Sequence, residues 1–115
     1  MTDAWWGRAT TYALQASLYT PADGIISGQD PDVEDVVTRA GTGWETDVDA
    51  EGSQVIEALQ ERLGVEADGL IGPDTVTALQ KHLKNRGHDL EIDGIAGYRT
   101  VECLQYELTN GTLWH

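Results

Sequence analysis

Six side chains are the best candidates for contact chemistry: Trp5, Trp6, Trp44, Trp114, Tyr98 and Arg99. The four tryptophans lie outside the apolar helical stripes, at turns or near the termini. An indole or phenol face stacks on the apolar side of a sugar ring while its N–H or O–H reaches a hydroxyl, so rings at such places suit carbohydrate. The competing role is packing, because a chain with four Trp and no Phe must staple a small core with some of them. Tyr98-Arg99 sets a planar ring beside a guanidinium, which can engage a hydroxyl or a carboxylate.

Other chemistries find weaker material. Asp89, Glu91, Asp93 and Gly94, like Asp47, Asp49, Glu51 and Gly52, imitate the first half of a calcium loop. The twelfth position needs a bidentate Glu, and Thr100 and Ala58 stand there instead. His82, His88 and His115 have neither HExxH spacing nor cysteine companions, so no metal site is expected. Cys103 is the single cysteine, which excludes an internal disulfide and suggests a buried, inert thiol. Ser17, Ser27 and Ser53 have no paired His, and the acids fall at turns, caps and helix faces where solvation accounts for them. No catalytic residue and no cofactor are expected.

The elements that must position these residues repeat. Asp68-Gly69-Leu70-Ile71-Gly72-Pro73-Asp74-Thr75-Val76-Thr77-Ala78-Leu79-Gln80 is a turn feeding a helix: Gly69 supplies positive φ, Gly72 is an N-cap, Pro73 stands at N1, and Asp74 meets the helix dipole. The same offsets return in Asp93-Gly94…Gly97…Thr100…Leu104-Gln105 and in Asp3-Ala4…Gly7…Thr10…Leu14-Gln15, where Ala4 replaces the turn glycine. Gly52 through Gln60 gives a weaker copy. Internal repeats of this kind take precedence over other assignments. The recurring Gln15, Gln60, Gln80 and Gln105 could form a sugar-binding ladder, but hydrogen bonding to the neighbouring Asp-Gly turns accounts for them better. Thr10, Thr75 and Thr100 fit local acceptors in first turns.

These motifs resemble the peptidoglycan-binding domain of bacterial and phage cell-wall hydrolases. Val55…Leu59-Gln60…Leu63-Gly64, the Asp68–Gln80 stretch and its Asp93–Gln105 copy carry the likeness over residues 52–115, with a partial match over 4–29. The resemblance implies a non-catalytic module that binds bacterial peptidoglycan or wall glycan and targets a fused or associated hydrolase, such as a phage endolysin. Two rivals come from other classes: a protein-interaction or virion-structural module using the same repeat, and a small wall hydrolase with paired carboxylates.

The expected fold is all-α, with helices over 7–19, 30–41, 53–63, 73–86 and 97–108, and a linker over 41–52. Residues 1–50 would form an N-terminal partial repeat with its linker, and 51–115 a three-helix peptidoglycan-binding-like unit. The ends look like the opening and closing of repeat turns, which suggests descent from a longer array and self-association through the chain ends. A net charge of -13 and a pI of about 4.2 argue against nucleic acid, since phosphate contacts need clustered Lys and Arg. The same charge excludes simple attraction to anionic wall polymers, leaving stacking and hydrogen bonds. No apolar run approaches the ~20 residues of a membrane span, and the start lacks the regions of a signal peptide, so lysis or a fused partner would deliver the chain to the wall.

Overall fold

Four helices form at the repeats in a computed structural model that describes residues 3–114: α1 (Arg8–Ser17), α2 (Gln54–Leu63), α3 (Pro73–Asn85) and α4 (Tyr98–Asn110). Their ends follow from their residues. Helix α3 begins with extended Gly72, Pro73 in the first turn and Asp74 beside the free N–H groups. Ser53 caps α2 by accepting from Ile56 N–H, and left-handed Gly64 closes it at φ 76. Helix α1 packs on α4, α4 on α3 and α3 on α2. Their buried faces meet in one cluster that runs from Trp6 and Leu14 through Ile56, Leu59, Leu79 and Leu83 to Leu104 and Leu113.

The repeated glutamines are the joints of this arrangement. Gln60 Oε1 accepts from Gly69 N–H at 2.8 Å, and its amide nitrogen lies 2.9 Å from Asp68 Oδ1, Leu70 O and Thr75 Oγ1. Two N–H groups thus serve three acceptors. Gln80 holds Asp93, Gly94, Ile95 and Thr100 in the same way. Gln15 holds Asp23, Gly24 and Ile25. Gln105 on the last helix holds Asp3, Ala4, Trp5 and Thr10 of the first turn. Each helix therefore grips the turn that follows it around the molecule, and the last grips the first. Ala4 adopts φ 61 there, the conformation its glycine counterparts take.

The fold is mixed α/β, which corrects the all-α expectation. Residues Ile26–Gln29 (β1) and Trp44–Thr46 (β2) pair in parallel, with Ile26 opposite Trp44 and Gln29 opposite Thr46. The helix expected over 30–41 reduces to a single 3-10 turn, Val33–Asp35, within the crossover of residues 30–43 that parallel pairing requires. The cause lies in the second turn. Where the others follow Asp-Gly with a glycine N-cap and a first-turn threonine, this one has Ser27 and Asp30, and its chain continues extended. Gln29 then docks β1 sideways, donating to Gly69 O at 2.8 Å and accepting from Ile71 N–H at 2.9 Å. Asp30, expected to cap a helix, accepts from Asp32 N–H in a local turn. The stretch read as a linker contains β2.

Candidate functional site

The Gln105 grip fixes the turn that presents Trp5. Trp5 O accepts from Gln105 Nε2 at 2.9 Å, and Trp5 N–H donates to Asp3 Oδ1 at 3.0 Å. The ring, 46% exposed, is left facing outward. Tyr98, 58% exposed, opens α4 and occupies the place that Pro73 holds in α3. Residues 36–41 bridge the two turns: Ala96 N–H donates to Val36 O at 2.7 Å, Trp6 N–H to Arg39 O at 2.8 Å, and Gly41 N–H to Trp6 O at 2.9 Å.

That bridge sets Arg39 between the rings. Its guanidinium carbon lies 3.7 Å from the Trp5 ring centroid and 5.5 Å from that of Tyr98. Its Nε donates to Ala4 O at 3.0 Å. Among the described residues no carboxylate forms an ion pair with Arg39. Each cation–ring contact is worth about 0.5–1 kcal/mol at an exposed site, comparable to thermal energy, so the contacts bias the three groups toward one another. The surface thus offers two aromatic faces for stacking and a planar set of N–H donors between them.

The other expected site residues lie elsewhere. Trp6 is fully buried, with its ring edge-on to Trp44 at 5.3 Å and its Nε1 donating to Thr11 Oγ1 at 3.1 Å. Its face is closed to any ligand. Trp44 is half-buried and donates from Nε1 to Trp6 O at 2.7 Å, joining β2 to the N-terminal turn. Trp114 is half-buried against His82 and beneath Arg62, and its Nε1 donates to Ser17 Oγ at 3.1 Å. Arg99 is exposed, but its Nη1 is engaged by Glu102 at 2.7 Å and its Nε by Asp89 O at 3.0 Å. Of the six residues, Trp6 and Trp44 meet in the core, and Trp5 and Tyr98 are joined at the surface through Arg39. That arginine was not anticipated. It has no counterpart in the repeats, and its one signal was scarcity, since the chain holds seven Lys and Arg in all.

The turn carboxylates are structural. The Gln80 amide followed by Ile95 N–H holds the Asp93 carboxyl below its ordinary range, and the Gln15 amide does the same for Asp23. Asp3 is lowered first by Trp5 N–H and then by Gln105. Cys103 is buried, and that burial pushes its thiol up, away from the reactive thiolate. No group of His, Cys, Asp and Glu among the described residues is arranged to hold a metal ion, and His115 lies outside those residues. No protein-family model, curated protein or solved structure matches the chain.

Proposed function

We propose that this chain is a non-catalytic binding module for bacterial peptidoglycan that holds a lysin or wall hydrolase on its substrate. The observation that carries the proposal is the Arg39 guanidinium held between the exposed rings of Trp5 and Tyr98. Stacking on those rings needs no attraction between net charges, which suits a chain at -13 meeting an anionic wall. The guanidinium, in no ion pair among the described residues, adds donors for sugar hydroxyls, acetamido carbonyls or a stem-peptide carboxylate. A module of this kind works through effective concentration: a weak contact tethered to a catalytic domain keeps it near many bonds of the polymer. The enzyme would be fused to the module or associated with it, and the two would reach the wall by lysis or through that partner.

Cosedimentation of the purified chain with sacculi tests this. Retention on sacculi, with none on chitin or on an unrelated protein matrix, is the expected result. Failure to bind sacculi, or equal capture by the protein matrix, would sink the proposal in favour of a protein-interaction module. Clearing of a sacculus suspension by the chain alone would show that it is a hydrolase.

A further inference from the structure

A second groove, of about 490 Å³, opens between the segment following α3 and the face of α4 that carries Arg99, Cys103 and Tyr106. Its floor is Glu107, a glutamate with a side chain only 5% exposed. Arg86 Nε donates to Glu107 Oε1 at 3.3 Å, satisfying one side of the carboxylate. His88 Nε2 stands 3.4 Å from Glu107 Oε2, near enough for an ion pair were the ring charged, yet the two are too poorly aligned to form a hydrogen bond. Nε2 is left buried and without a partner among the described residues. Buried polar atoms are nearly always paired, so the unpaired nitrogen at the edge of this groove, beside the Glu107 carboxylate, marks a place for one more polar group. The imidazole is set edge-on to Tyr106, with centroids 5.4 Å apart, and Tyr106 itself is 53% exposed.

The position of the groove matters as much as its chemistry. Tyr98, Glu102 and Tyr106 follow one another at four-residue steps on α4, and such residues share a helix face. Eight residues of helix advance about 12 Å, so the two tyrosines are spaced like successive contacts on an extended polymer. Arg99, next to Tyr98, pairs with Glu102, and both line the groove.

We propose that this groove is a second sugar subsite, continuous along α4 with the Trp5–Arg39–Tyr98 surface. A ring hydroxyl of a wall amino sugar donates to the Glu107 carboxylate and, with a small turn of the imidazole toward the groove, accepts from His88 Nε2–H, while Tyr106 borders the apolar face of the ring. The subsite takes a neutral, hydroxyl-bearing N-acetylhexosamine further along the strand than the unit at Trp5. This extension rests on the wall-glycan function proposed above.

Glycan strands freed of stem peptides by an amidase, then cut by a muramidase and separated into disaccharide and tetrasaccharide, are the probes. The 15N-labelled chain is titrated with each, following backbone amides and the His88 imidazole nitrogens. The tetrasaccharide should bind roughly five- to tenfold more tightly than the disaccharide and should shift His88 Nε2. Tyr106→Ala should bring that ratio close to one, and Tyr12→Ala, at an exposed tyrosine on α1, should leave it as it is. Equal affinity for the two lengths, an unmoved His88 with shifts confined to Trp5, Arg39 and Tyr98, or an unchanged ratio in Tyr106→Ala would each overturn the second subsite while leaving the wall-binding function standing. Absence of any shift with either glycan would overturn both.

Discussion

Gln105 and Asp3 stand 102 positions apart and share a hydrogen bond of 3.0 Å. The same glutamine accepts from Ala4 N–H at 2.8 Å, so the last helix supplies the first turn with the partner that every other turn receives from the helix preceding it in sequence. The chain closes on itself through a repeat contact. The orientation of Trp5, two residues beyond Asp3, is therefore set from the far end of the sequence.

Gln105→Leu tests that closure. It preserves apolar bulk but leaves the buried Ala4 N–H without its acceptor, at a cost of about 1–3 kcal/mol. The melting temperature should fall by several degrees, and amide exchange at Trp5 and Trp6 should quicken more than at α2. An unchanged melting temperature with unchanged exchange would show that the N-terminal turn is held by other contacts.

Gly69 and Gly64 share φ 76 but differ in surroundings, which separates two effects that glycine substitutions usually mix. A Cβ on Gly64 meets nothing within 4 Å, whereas one on Gly69 would lie 3.0 Å from Gly52 Cα and Ser53 N. Gly64→Ala should cost ~1 kcal/mol for the left-handed conformation alone. Gly69→Ala should cost ~3 kcal/mol, because a backbone contact must also move apart. Urea unfolding of the two variants gives the difference directly, and equal costs would mean that the 52–69 contact yields freely.

The helices were legible because their punctuation is local: Gly72-Pro73-Asp74 announces a start, and Gly64 an end, whatever lies nearby. The glutamine joints were legible because repetition at fixed offsets betrays a shared task. The sheet was hidden for the opposite reason. Strands of four and three residues are too short to show alternation, and β1 is stabilised by Gln29 reaching a turn some 40 positions away. Trp6 was misplaced by the same locality, since a ring beside a turn glycine looks exposed until Trp44 is brought across from β2. Arg39 reaches Trp5 and Tyr98 only through the crossover, so no spacing in the sequence could join them.

Acid should weaken the protein modestly through its turns. Asp3, Asp23 and Asp93 sit below the ordinary 3.8 in the folded chain, so the unfolded chain binds more protons in the interval beneath that value. Their contribution to stability is complete above about 3.8 and is lost as pH falls through the depressed folded values. Each is small, because all three carboxylates are exposed to solvent. Asp93→Asn keeps an acceptor for Gln80 but cannot titrate, so its stability should fall less steeply than the parent's below pH ~4. Identical acid slopes in urea melts taken across that range would remove Asp93 from the account.

The two adjacent tryptophans should separate binding from stability. Trp6 is fully buried against Trp44, and truncating a core tryptophan costs about 3–5 kcal/mol, so Trp6→Ala should lower the melting temperature sharply and lose sacculus retention only as it unfolds. Trp5 and Tyr98 contribute exposed rings whose structural contacts are to the Arg39 guanidinium, worth ~1 kcal/mol or less apiece. Trp5→Ala and Tyr98→Ala should therefore keep helical circular dichroism and nearly the parental melting temperature while retention on sacculi drops several-fold. Measuring both quantities on the same preparations decides the matter. Full retention by Trp5→Ala and Tyr98→Ala would remove these rings from the binding surface, and a retention loss that merely tracks melting in all three variants would make them staples of the fold.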